Sequence, residues 1–127
     1  MKVPTDRRYA ETHEWFRPDE DVITVGITQY AADELTDITF VELPEVGRKV
    51  SVGDSIGEVE SVKATSEIFT SVAGKIVEVN ASLADRPELI NDDAFEEGWI
   101  VRLKPDAPDP LQTLLSSKEY VSLVKNA

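Results

Sequence analysis

Lys63 is the only base in the twenty-five residues from Val50 to Gly74, a stretch that also holds Asp54, Glu58, Glu60 and Glu67. A lysine ammonium has an ordinary pKa of about 10.4 and becomes a nucleophile only when desolvated. Nothing apolar clusters beside Lys63 in sequence to do that. On its four-carbon stem it is instead well suited to being modified by another enzyme, provided the chain presents it clear of the body. A solvated turn lysine is the other reading. Other chemistry-bearing residues are scarce. The chain has no Cys, which excludes thiol nucleophiles, disulfides, thiolate zinc sites and iron–sulfur clusters. His13 is the single His, so no multi-histidine metal site can form within one chain. It reads as packed or hydrogen-bonded in place rather than as a ligand. Acids are abundant, but no spacing marks a carboxylate pair for acid–base work. Neither a catalytic set nor a metal site is expected.

Presenting Lys63 requires a rigid protrusion. Ile56-Gly57-Glu58-Val59-Glu60 before it and Glu67-Ile68-Phe69-Thr70 after it are strand-like, with Ser61 to Ser66 between, so Lys63 is expected at or near the tip of a β-hairpin. Gly47, Gly53, Gly57 and Gly74 punctuate short β-branched stretches over Lys49–Val52, Ser55–Val59, Glu67–Ser71 and Lys75–Val79. Val22 to Ile27 is apolar on both faces and predicts a buried strand, and Ile38 to Val41 predicts another that ends near Pro44. Arg7 to Arg17 reads as one extended segment, with Tyr9, Trp15 and His13 on a shared face, followed by a turn over Arg17–Asp21. Thr28 is a good N-cap for a short helix near 29–35. Ala81 to Asp93 reads as a helical turn or loop, Gly98–Leu103 as a final strand closed off by Pro105, and Leu111–Leu115 and Ser117–Lys125 as terminal helices. Short strands with Gly-marked turns argue a mainly β sandwich or barrel with helical trim. The chain is expected to form one domain over 1–127, with a core over 8–104 and a helical tail over 110–125.

Composition narrows the partners. At 127 residues the chain can bury one core, and 41% apolar with 30% charged residues is a globular balance. Thirteen Lys+Arg against twenty-five Asp+Glu give a net charge of −12, which repels phosphate backbones and anionic lipid. No nucleic-acid or membrane partner is expected. No apolar run exceeds three residues, too short for a membrane span or a signal-peptide core.

The run Glu58-Val59-Glu60-Ser61-Val62-Lys63-Ala64-Thr65-Ser66, with Gly74 eleven residues after the lysine, resembles the lipoyl-attachment hairpin of the glycine cleavage system H-protein family. Further blocks resemble the same family in order: Tyr9 with His13-Glu14-Trp15, Val25-Gly26-Ile27-Thr28, Phe40 to Gly47, Val77 to Asn80, Pro87 to Asn91, and Glu97-Gly98-Trp99. The resemblance spans about residues 8 to 104.

That resemblance implies a lipoyl-domain-like barrel-sandwich hybrid and a non-catalytic carrier. It implies lipoate joined to Lys63 by an amide, which takes the formal charge from −12 to −13. The arm would take an aminomethyl group from the pyridoxal-phosphate glycine decarboxylase (P protein). It would deliver it to the tetrahydrofolate-dependent aminomethyltransferase (T protein), and dihydrolipoamide dehydrogenase (L protein) would reoxidise the dithiol. A lipoate-protein ligase or a lipoyl/octanoyl transferase would attach the cofactor. Glu60 and Gly47 match family positions that the attaching enzyme reads; a solvated strand carboxylate and a turn glycine are the alternatives, the turn being favoured for Gly47. Thr12, Glu14 and Glu67 match the cleft into which the loaded arm folds, where a carboxylate would hold an ammonium group. Ordinary exposed acids are the alternative for both glutamates.

The sequence departs from the family at Thr36, where glycine is usual, at Ser71, where proline is common, and at Glu67, where aspartate is common. A biotin carrier would flank its lysine with methionine, and Met1 is the only Met. Lipoyl domains of 2-oxoacid dehydrogenases place aspartate before the lysine and lack the flanking blocks. An H-like lipoate relay or regulatory partner stays open as the alternative function. A monomer is expected, and the short polar lead after Met1, without an Arg/Ser-rich transit segment, favours the bacterial cytoplasm, with the mitochondrial matrix as the alternative.

Overall fold

A computed structural model describes residues 2–126; Met1 and Ala127, the ends of the expected 1–127 unit, lie outside the described residues. Nine strands and four short helices follow in the order β1 (Arg8–Tyr9), β2 (Glu14–Asp19), β3 (Val22–Ile27), α1 (Gln29–Leu35), β4 (Ile38–Glu42), β5 (Lys49–Val50), β6 (Ser55–Ser61), β7 (Thr65–Phe69), β8 (Gly74–Val79), α2 (Ser82–Asp85), α3 (Leu89–Asp92), β9 (Val101–Pro105) and α4 (Ser117–Lys125). The strands form two antiparallel sheets, ordered β1-β2-β3-β9-β8-β5 and β4-β6-β7. The pattern of short strands predicts a mainly β sandwich or barrel, and the two sheets form the barrel-sandwich that the family resemblance implies.

The main core lies between the sheets and draws Phe16, Val25, Ile56, Ile68, Ile76 and Leu103 from both. β3 is central, and both of its faces are covered. Ile23, Val25 and Ile27 point into the core, while Thr24 is covered by Asp19 and Arg102. Gly26 lies under the Trp15 indole, where a Cβ would come within 2.6 Å of the ring. A side chain there would displace a fully buried tryptophan, whose packing is worth about 3 kcal/mol or more. A second, smaller core of Tyr9, Trp15 and Tyr120 forms where α4 docks on β1.

Several expected boundaries move. Residues 7–17 are two paired strands, with Tyr9 opposite Trp15, joined by a turn in which His13 has φ +76°; His13 therefore leaves the shared face. Pro18 belongs to β2, opposite Ile23, and the turn narrows to Glu20–Asp21. β1 does not reach that far along β2, so the missing Pro18 N–H costs the ladder no bond. The last strand runs over Val101–Pro105, with Pro105 paired to Gly74. Of the expected helical tail over 110–125, only Ser117–Lys125 is helical, started by a capping box between Ser116 and Glu119. Pro108 and Pro110 break the pattern ahead of Leu111, and Leu115 bridges back to Tyr9 as a strand residue. The α1 expectation holds: Thr28 accepts the Ala31 N–H and the helix covers Gln29–Leu35.

Candidate functional site

β6 and β7 pair from Ser55–Phe69 up to Glu60–Thr65, and the connection is the four-residue turn Ser61–Ala64. Ser61 N–H donates to the Ala64 carbonyl at 2.8 Å, and the Ser61 hydroxyl oxygen accepts from the Lys63 and Ala64 amides at 3.3 and 3.0 Å. Val62 N–H reaches the Asp37 carbonyl, tying the turn to the start of β4. Neither Val62 nor Lys63 has a positive φ, which is why this turn needs no glycine. Lys63 stands exposed at the apex beside Val62, itself 71% exposed. Among the described residues no carboxylate pairs with it. The backbone of the tip is fixed while the amine is free, an arrangement that fits an amide-linked arm.

Glu60 is exposed on the outward face of the small sheet, level with Phe40 on β4 and Thr65 on β7. Gly47 lies beyond the Glu42 end of β4, whereas the tip sits at the Ile38 end. Its φ of +100° and the open space around its α-carbon fit the turn role, and its N–H donates to Ile76.

Thr12 and Glu14 lie together. Glu14 is 1% exposed; one carboxylate oxygen accepts from the Thr12 hydroxyl and the other from the Phe69 amide of β7 at 3.1 Å. Burial raises its pKa, and the Thr12 and Phe69 hydrogen bonds oppose that rise. Glu14 is thus no exposed acid, whereas Glu67 is exposed. Glu67 lies two residues nearer the tip on β7, exposed and in register with Glu58. A cavity of about 280 Å³ opens beside Thr12, lined by Tyr9, Ala10, Ser71, Leu114 and Leu115 among others, with neither Glu14 nor Glu67 in its wall. Two larger cavities, of about 810 and 470 Å³, lie against the 105–112 loop and beside Tyr30 and Phe95, away from Lys63.

Sequence reasoning missed the polar chain behind Glu14. The Tyr120 hydroxyl lies 2.7 Å from His13 Nδ1 and 2.7 Å from the Thr28 hydroxyl. Burial raises the Tyr120 pKa to about 12 and lowers that of His13, which the Glu34 charge partly restores. The only sequence signal was His13 itself; its partner lies 107 positions away. Among the described residues no set of three His, Asp or Glu side chains is placed to hold a metal ion.

A family model described as "Glycine cleavage H-protein" matches residues 7–127. The chain is 50% identical over 126 residues to the glycine cleavage system H protein of Thermus thermophilus, covering 99% of this chain and 98% of that one. It is 49% identical over 120 residues to the glycine cleavage system H protein of Listeria monocytogenes, covering 94% and 96%. The crystal structure of a glycine cleavage system H protein from Mycobacterium marinum superposes with a TM-score of 0.89 at 40% identity, covering 97% of this chain and 99% of that one.

Proposed function

The chain belongs to the glycine cleavage H-protein family, lipoyl carriers rather than catalysts, and on that premise we propose that Lys63 bears lipoate and that Thr12, Glu14 and Glu67 shelter the loaded arm. The observation that carries this reading is the exposed, unpaired Lys63 amine on a hydrogen-bonded turn. When bound, lipoate supplies the sulfur that takes the aminomethyl group from glycine decarboxylase and yields it to aminomethyltransferase, with dihydrolipoamide dehydrogenase restoring the disulfide.

The chain's own residues do the rest. Ser61 and Asp37 fix the root of the arm. Glu60, exposed on the strand leading into the tip, is offered to the ligase or transferase that attaches lipoate. The Glu14 carboxylate, taken out of water and holding two hydrogen bonds, keeps lone pairs for a cationic amine. Tethering the carried group raises its effective concentration at a docked active site. One core shared by both sheets supports residues 1–127 as one carrier unit, acting as a monomer. The bacterial relatives support the cytoplasm as its place of action, and no helix among the described residues is long and apolar enough to cross a membrane.

The test is Lys63→Arg in a lipoylating host. Intact mass should show the lipoyl increment on the parent chain and none on the variant, with the fold retained. Modification persisting in the variant would move the attachment site. A fully lipoylated parent that supports no glycine-dependent exchange of labelled carbon dioxide with glycine decarboxylase would overturn the shuttle reading.

A further inference from the structure

Resting on the reading of Thr12 and Glu14 as the shelter of the loaded arm, we propose that Tyr120 is a positioning residue for that shelter, its phenol holding the His13 turn from which Thr12 and Glu14 project. The turn is a strained one. His13 has φ +76°, a region that side-chain-bearing residues enter only when their surroundings impose it. Three contacts impose it here. His13 N–H donates to the Ala10 carbonyl at 3.0 Å, the His13 carbonyl accepts from Thr28 N–H at 2.9 Å, and the imidazole Nδ1 meets the Tyr120 hydroxyl. The first two are backbone bonds at the ends of β1, β2 and β3; the third is the one side-chain hydrogen bond of His13 among the described residues, made while the imidazole also packs on the Tyr30 ring at 5.0 Å.

Proton accounting sets the direction of the chain. Thr28 Oγ1 already accepts the Ala31 N–H as the cap of α1. If the Thr28 hydroxyl donates to the Tyr120 oxygen and the Tyr120 hydroxyl donates to Nδ1 of a neutral His13 protonated at Nε2, both hydroxyl protons have an acceptor. In the reverse direction the Thr28 proton is left without one. One buried hydroxyl therefore joins the C-terminal helix, the α1 cap and the turn between Thr12 and Glu14. The Tyr120 ring is held independently, stacked on Tyr9 at 4.9 Å. Removing only its oxygen thus leaves the helix seated and frees the turn.

Phe69 N–H, bonded to Glu14, reports whether the carboxylate stays in place. In the full-length chain Tyr120→Phe should speed exchange of the Phe69 amide about ten-fold and erase the hydrogen-bonded signature of His13 Nδ1 in nitrogen NMR. In the lipoylated, aminomethyl-loaded chain it should release ammonia several-fold faster. Leu123→Ala, which loosens the packing of the same helix without touching the hydroxyl, is the control. Unchanged Phe69 exchange in Tyr120→Phe overturns the proposal, and so does an equal acceleration in Leu123→Ala. Glu14→Gln tests the shelter separately. If it leaves ammonia release unchanged while Tyr120→Phe still frees the Phe69 amide, the shelter reading fails and the positioning role stands.

Discussion

Thr36 ends α1 at φ +62° and ψ −143°, a conformation that glycine enters freely and that costs other residues about 1–3 kcal/mol. Its hydroxyl bonds only to the preceding carbonyl, whereas its own carbonyl accepts from Asn91, a bond that any residue can make. Thr36→Gly should therefore relieve strain and lose little. After the entropy cost of glycine in the unfolded chain, a net gain of about 1 kcal/mol is expected, or a Tm higher by about 4 °C. A calorimetric Tm that stays level or falls would show that the strain is absorbed elsewhere. The sequence marked Thr36 as a side chain in a glycine position; only the backbone angles turn that into an energy. The isolation of Lys63 among acids was visible in composition, but only the resemblance of the run Glu58–Ser66 to a lipoyl-attachment hairpin pointed to it as an attachment point. The Tyr120–His13 bond was not legible, because nothing local in sequence links positions 107 residues apart.

The hairpin element carries a second local conflict. Glu42, Glu58 and Glu67 are consecutive partners across β4, β6 and β7, so three carboxylates share one row on the same outward face. Like charges directly opposite each other destabilise a strand pair by a few tenths to about 1 kcal/mol. Glu58→Gln removes the middle charge and should stabilise the chain by about 0.5 kcal/mol at low salt. The gain should vanish near 1 M NaCl, where the screening length falls to about 3 Å. Urea denaturation at both salt concentrations checks it; equal stability of parent and variant at low salt would remove the repulsion from the account. The individual strands on either side of Lys63 could be read from alternation and glycine spacing, but their register could not. Elements were misread where proline was taken as punctuation. Pro18 lies inside β2, whereas Pro105 does close β9, as its last residue, and Leu111–Leu115 gave way to turns once Leu115 paired with Tyr9.

Across the whole molecule the ion pairs lie away from the hairpin. The ion pairs among the described residues join Arg7, Arg17, Arg86 and Arg102 to Asp6, Asp19, Glu78, Glu88 and Glu96, and none involves the β4-β6-β7 sheet. Among the described acids that form no ion pair, Glu42, Glu58, Glu60 and Glu67 face outward about the exposed Phe40 and lead up to Lys63. Amide formation at Lys63 would remove the one cation there. An enzyme that receives this tip should carry a basic rim, and complementary charge of this kind acts mainly on encounter. Raising NaCl from about 20 to about 200 mM should therefore lower kcat/KM for the carrier by roughly ten-fold in the decarboxylase and aminomethyltransferase assays, while kcat changes less than about two-fold. The Glu58→Gln variant should show a shallower salt dependence than the parent. If kcat/KM is flat with salt, the charge serves solubility alone and partner recognition must rest on the exposed apolar residues at the tip, Val62 and Phe40.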